Sequence, residues 1–285
     1  MHRLIKIIVT SVVLASVTIL AYSTMSYPPQ VDDPTELVVI KRGDFAYRST
    51  GEYLRGTYAV DPPTVVVHFP KDFLIMKRQV SQAEYAECVS SGSCRPLDRA
   101  QRGATSPNLP AVGVSWADAT AYAAWLSART GHHYRLPSYA QWAFAAGSAY
   151  KEEEAIETSD PSNPALRWLA EYEREARRKT TEDTRPKTFG SYGISSTGLL
   201  DIAGTVWDWT DTCSSLQYID KDSAPEQNCR IRVVAGRHRG YIADFIRDPR
   251  GGACSVGIPP SNLGFRLVRD PATDRLDRST ASEGA

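Results

Sequence analysis

Gly198-Leu-Leu-Asp-Ile-Ala-Gly-Thr-Val-Trp-Asp-Trp209 is the stretch on which the reading of this chain turns, with Ser261-Asn-Leu-Gly-Phe-Arg-Leu-Val268 as its later counterpart. Neither shows helix or strand periodicity. Both read as irregular backbone held by glycine turns, tryptophan anchors and buried polar groups. The whole region from Lys187 to Val268 is Gly-rich and irregular, with short β-runs such as Ile231-Arg-Val-Val234. The chain's 18 prolines and 19 glycines follow no period, which favours a loop-rich fold over a helix bundle.

Upstream the pattern is more regular. Leu37-Val-Val-Ile40, Thr64-Val-Val-Val-His-Phe69 and Phe73-Leu-Ile-Met76 read as strands. Three capping boxes follow: Ser81-Gln-Ala-Glu84, Ser115-Trp-Ala-Asp118 and Ser138-Tyr-Ala-Gln141. In each, a hydroxyl takes an orphan amide while the residue three positions on reaches back. The helices they open end before Gly92, Gly131 and Gly147. Asn163-Pro164 opens a fourth, from Ala165 towards Lys179, supported by Glu173/Arg177 and Glu175/Lys179 four apart. Leu166, Leu169 and Tyr172 give it one apolar stripe, so it reads as a surface helix with a docked face.

The 33 basic and 33 acidic residues cancel, which argues against a nucleic-acid binder. Met1-His-Arg-Leu-Ile-Lys6 and the apolar run Ile7–Tyr22 read as a secretory signal over residues 1–23, with an uncleaved anchor as the alternative. Either places the folded part outside the cytoplasm, with membrane contact only through this segment. A polar linker spans 24–36 and a polar tail 271–285. Cys88, Cys94, Cys213, Cys229 and Cys254 are then expected to form disulfides, leaving one over. Cys88 and Cys94 flank a helix end and a turn and are expected to pair. Cys213 and Cys229 form the second expected pair, with Cys254 able to replace either.

Taken in order, these segments resemble the formylglycine-generating enzyme family, the sulfatase-modifying factors. The resemblance rests on Pro110–Ala119 with Ala121-Tyr-Ala-Ala-Trp125, on Tyr134-Arg-Leu-Pro-Ser138 with Trp142, on Gly198–Trp209 and on Asn262-Leu-Gly-Phe-Arg266. It implies an α+β domain over 37–270, poor in regular structure and related to C-type lectins. It also implies a structural calcium ion held by Asp201, Asp208 and the carbonyls of Gly204 and Val206, carboxylate and backbone oxygens being what Ca²⁺ takes. Thr205 departs from the family's asparagine there. The alternative is that Asp201 and Asp208 cap turns.

A larger departure lies in Val234-Ala-Gly-Arg-His-Arg-Gly-Tyr-Ile-Ala-Asp-Phe-Ile246. The family's enzymes carry two copper-binding cysteines five apart after this turn. Aligned on Gly236, the two positions hold Tyr241 and Ile246, and His238 replaces the active-site serine. Cu(I) wants thiolates, so neither copper nor formylglycine generation is expected. Arg237, His238, Arg239, Tyr241, Asp244 and Arg247 fall where the family's cleft lies. They read either as an anion- or peptide-binding pocket with His238 as acid/base, or as structural ion pairs. His132-His133 and His68 read as turn and strand residues.

The Cys88–Cys94 loop, the charged insertion 164–179, and the blocks Gly236–Arg239 and Gly251-Gly-Ala-Cys254 resemble a periplasmic branch. That branch holds the accessory proteins found with copper nitrite reductase and the protein of pyoverdine maturation. The resemblance implies an exported accessory or maturation factor for a periplasmic protein or peptide-derived partner, with a link to copper nitrite reductase. The alternatives are an oxidoreductase using a non-thiolate metal site near His238 and Tyr241, and a lectin-like binding module.

Overall fold

A computed structural model describes residues 35–98, 101, 103–152, 154–160, 162–178, 185–202, 204–249 and 262–270. The N-terminal segment, most of the linker, the Gly251–Cys254 block and the tail 271–285 lie outside the described residues.

The three expected early strands form where the sequence places them: β1 (Leu37–Ile40), β5 (Thr64–Phe69) and β6 (Phe73–Met76). Between them run β2 (Gly43–Arg48), β3 (Glu52–Arg55) and β4 (Tyr58–Val60). The three capping boxes open α1 (Gln82–Ser90), α2 (Trp116–Thr130) and α3 (Tyr139–Ala146), each with both reciprocal bonds made. Gly131 ends α2 in the left-handed conformation at φ 72°, which glycine takes without a Cβ clash.

One sheet has the order β1-β6-β12-β7, where β7 is Tyr134–Arg135 and β12 is Val268–Arg269. Val268 lies between Ile75 and Arg135, so the end of the domain closes against its beginning. The second sheet runs β10-β9-β8-β3-β4, with β8 at Val206–Tyr218, β9 at Glu226–Ala235 and β10 at Arg239–Ala243. β11 (Asn262–Gly264) pairs with β8 in parallel. β2 and β5 form a separate antiparallel pair. The α+β, loop-rich reading holds.

Two expectations are corrected. Val206–Trp209 and Asn262–Gly264 are strand, and the region after Lys187 is dominated by a long antiparallel hairpin. The alternation is missing because Val206 to Thr210 are buried without a break, so no polar face shows in the sequence. The fourth helix, α4 (Pro164–Arg178), forms but docks through charge. Arg167 bonds Asp61 at 2.9 Å and Glu171 at 3.1 Å, while Trp168, Leu169 and Tyr172 are exposed. The expected Glu173/Arg177 and Glu175/Lys179 pairs lie outside the described side chains.

Two apolar clusters fill the space between the sheets and helices. One joins Tyr85 and Tyr122 to Trp207, Trp209 and Phe265; the other joins Ile75 and Leu199 to Trp142 and Val233. Trp209 Nε1 donates to the Val114 carbonyl at 2.9 Å, which satisfies the indole inside the core.

Candidate functional site

The turn between β9 and β10 is set by Gly236. A Cβ there would lie 2.4 Å from the Trp207 ring, so only glycine lets the chain pass. Trp207 also receives His238 edge-on, 4.3 Å between ring centroids, and His238 Nδ1 lies 2.9 Å from the Arg239 carbonyl oxygen. The imidazole is thus fixed by a ring and by its own chain.

The end of β10 at Ala243 and the turn after it then divide the expected cleft. Arg239 and Tyr241 reach one way, to residues 48–51. Arg239 is buried and donates to the carbonyls of Arg48 and Ser49 at 2.9 and 2.7 Å, to Glu152 at 3.3 Å, and stacks over Tyr139. The Tyr241 hydroxyl accepts the Gly51 amide at 2.7 Å. Asp244 and Arg247 reach the other way. Asp244 meets Arg230 at 3.1 Å, and its carbonyl accepts the Trp116 amide. Arg247 holds Asp118 with two bonds, Nε to Oδ2 at 2.7 Å and Nη2 to Oδ1 at 2.8 Å. Arg237 is exposed. The six residues do not converge on one point; Ile246, aligned with the second thiol, packs against the first apolar cluster.

Asp118 is the electrostatic hub that sequence reasoning missed, although it was quoted as a cap. It caps α2, accepts from Ser115 N and Oγ, and takes Arg247 and Arg95. Burial pushes its carboxyl up, but the Arg247 and Ser115 hydrogen bonds outweigh this and hold it below the usual aspartate value. The same pair raises Arg247.

The residues held by Arg239 and Tyr241 wall an open polar pocket of about 450 Å³. Ser49, Thr50 and Tyr53 line one side; Asp211, Thr212, Cys213, Ser215 and Gln217 line the other, with Pro225 and Gln227 at the hairpin. Tyr53 donates to Ser49 Oγ at 2.9 Å. The lining is hydroxyl and carboxamide with one carboxylate, Asp211, which meets Arg232 at 3.0 Å. It suits a polar, uncharged ligand. These residues carry no sequence motif, because they meet only when β3 packs beside β8. Both expected disulfides are present. Cys88–Cys94 has a Cα separation of 5.3 Å and Cys213–Cys229 of 4.4 Å.

The expected calcium set divides too. Asp201, at φ 58°, is the one non-glycine with positive φ among the described residues. Its two oxygens accept the amides of Gly190 and Tyr192, both at 2.7 Å. Asp201, Gly204, Thr205 and Val206 border a cavity of about 10 Å³, as does Lys187. Asp208 is not in that lining. Its Oδ2 accepts from Arg266 Nε at 2.7 Å and Trp142 Nε1 at 2.8 Å. Ca²⁺ takes six to eight oxygens; here the Asp201 carboxylate is spent on amides and a lysine shares its lining, while Asp208 gives Oδ2 to a guanidinium and keeps Oδ1 buried without a hydrogen-bond partner. The four expected ligands do not border one cavity, and the turn-capping alternative describes Asp201. Among the described residues no three His, Cys, Asp or Glu side chains are grouped to hold a metal.

Comparison with known proteins gives three kinds of relative. The formylglycine-generating enzyme of Streptomyces coelicolor is 32% identical over 175 residues, 58% of this chain and 54% of that protein. The inactive C-alpha-formylglycine-generating enzyme 2 of Bos taurus is 30% identical over 176 residues, 56% and 50%. The serine/threonine-protein kinase Pkn1 of Chlamydia trachomatis is 27% identical over 263 residues, 83% and 38%. The chain thus spans about half or less of these relatives' lengths. Among solved structures, PvdO from Pseudomonas aeruginosa superposes with a TM-score of 0.53 at 23% identity, covering 85% of this chain and 97% of that one, which bears on the fold alone. Residues 23–271 match the sulfatase-modifying factor enzyme 1-like domain, and the chain belongs to that family.

Proposed function

We propose that this protein is an exported accessory or maturation factor that binds a protein or peptide-derived partner and does not generate formylglycine. The observation that carries this reading is the state of the two positions aligned with the copper-binding thiols. Tyr241 spends its hydroxyl on the Gly51 amide, and Ile246 packs against the apolar core. A phenol in that role is no substitute for a low-pKa thiolate, and an alkyl side chain ligates nothing. The scaffold around them is intact and walls a pocket for a polar ligand. A relative named as an inactive formylglycine-generating enzyme fits the same pattern. Two disulfides suit an oxidising compartment such as the periplasm.

The test is incubation with copper, oxygen, reductant and a Cys-x-Pro-x-Arg peptide. No aldehyde above a no-enzyme control is expected. Aldehyde formation lost on Cys254→Ser would overturn the reading. The rival, an oxidoreductase with a non-thiolate metal near His238 and Tyr241, is disfavoured because both side chains already hold the chain in place. Stoichiometric redox metal in the purified protein, lost on His238→Ala, would revive it.

A further inference from the structure

We propose that the Cys213–Cys229 disulfide is a thiol–disulfide exchange centre and that the polar pocket beside it is the subsite for an uncharged, polar thiol. This goes beyond the reading above and stands on different observations, so either can fail alone. The two bridges of the chain differ in access. Cys88 and Cys94 are 0% and 6% exposed and belong to the first apolar cluster. Cys229 is exposed, and Cys213 lines the open pocket of about 450 Å³. A thiolate must reach a sulfur to exchange with it, so access separates inert bridges from labile ones.

The pocket lies over the face of β8 and β9 that carries the bridge. Asp211, Cys213, Ser215 and Gln217 alternate along β8 and line it, with Gln227 of β9 beside them. Tyr53 pairs with Gln217 on the flank of β8 opposite to β9, and β9 carries Cys229. A thiolate entering beside Ser49 and Tyr53 therefore meets Cys213 from the side away from Cys229, as displacement along an S–S axis requires. The ladder is irregular at this point. Cys213 stands opposite Arg232 and Ser214 opposite Asn228, so Cys229, Arg230 and Ile231 face no β8 residue in it. The strands are paired on both sides, at Asp208–Trp209 and at Ser214–Leu216, so the hairpin has its register without the bridge.

The chemistry balances within the bridge. A substrate thiolate attacks Sγ of Cys213 and forms a mixed disulfide; the Cys213–Cys229 bond breaks, and Cys229 leaves as a thiolate that takes a proton from water. The exposure of Cys229 favours this, because water solvates the departing charge. A second substrate thiolate attacks the substrate sulfur of the mixed disulfide, closes a substrate disulfide and releases Cys213 as a thiolate. Two electrons pass from two substrate thiols to the bridge. The lining sets the class of thiol. Ser49, Thr50, Ser215 and Gln217 offer hydrogen bonds, and the one carboxylate, Asp211, is paired with Arg232, so no charge awaits a counter-ion.

The experiment incubates the oxidised full-length chain with N-acetylcysteinamide and, separately, with the neutral peptide acetyl-Ser-Gly-Cys-Gly-Thr-amide, quenches in acid and maps the adducts by mass spectrometry. A mixed disulfide on Cys213 with Cys229 free is expected, forming about tenfold or more faster than any adduct on Cys88 or Cys94. Thr50→Trp and the exposed Gln227→Trp, each placed to fill the pocket, are expected to slow it about tenfold with the melting temperature retained. Faster reaction of the peptide assigns the centre to polypeptide thiols, and faster reaction of N-acetylcysteinamide to small ones; either upholds the proposal. Adducts on Cys229 alone, equal rates at the two bridges, or rates that ignore both bulky variants overturn it and leave the bridge a structural staple.

Discussion

Arg266 and Asp208 form a fully buried ion pair, Nε to Oδ2 at 2.7 Å, between residues 58 positions apart. It joins the two signature segments from which the fold was read. The guanidinium is otherwise spent on the carbonyls of Lys77 and Leu200, and Trp142 is the second donor to Asp208. Arg266→Met leaves a buried carboxylate with one donor, and breaking such a pair costs about 3–5 kcal/mol. The double variant Asp208→Leu/Arg266→Met should cost less than the sum of its singles, since it removes both charges. Urea denaturation of the three variants measures this; additive losses would mean that the pair is not coupled.

Asp118 should make stability pH-dependent in a defined direction. Its folded pKa lies below its unfolded value, so its contribution is complete above about pH 4 and is lost as pH falls through the folded value. Asp118→Asn should lower stability by about 3 kcal/mol at pH 7. The gap from the parent protein should close as pH drops through the folded value. Urea midpoints across this range read it; an unchanged gap at low pH would assign the loss to packing.

Metal removal gives a third prediction. Because Asp201 spends both carboxylate oxygens on amides and Asp208 lies outside the cavity that Asp201 borders, excess chelator should leave the melting temperature unchanged. A fall of several degrees, reversed by Ca²⁺ and absent in Asp208→Ala, would restore the calcium site.

The disulfides differ in reach. Cys213 and Cys229 close a loop of 16 positions, and Cys88 and Cys94 one of 6. On the loop-entropy model the first contributes about 3 kcal/mol and the second about 2 kcal/mol. Serine replacement of each pair, followed by thermal melts, should rank them in that order.

Much of the fold was legible because it is written locally. Ser81, Ser115 and Ser138 each cap an amide three residues away, and Gly131 stops α2 with its own backbone. Strands β1 and β5 announce themselves by β-branched runs and β6 by a continuous apolar one. What stayed hidden depends on distant partners. β8 reads as featureless because its first residues are buried on both faces. The pocket needs Ser49 and Asp211 side by side, which only the β3–β8 pairing provides. Arg239 and Tyr241 were found by position in a resembled loop, yet their partners lie about 190 positions upstream and carry no motif. Of the cleft's two readings, the structural one describes Asp244 and Arg247, while Arg239 and Tyr241 shape a pocket that they do not enter.

The bond from Tyr241 to Gly51 carries an evolutionary consequence. At the position that the proposed function aligns with a reactive sulfur, this chain has a fastener that holds the Gly51 amide of a neighbouring loop. Tyr241→Cys with Ile246→Cys would restore the lost spacing, but would also unfasten residues 48–51 and hollow the core beneath Ile246. The intermediate forms would have neither the old chemistry nor the present wall. On the proposed function, restoring the thiols would therefore meet an architectural obstacle as well as a chemical one.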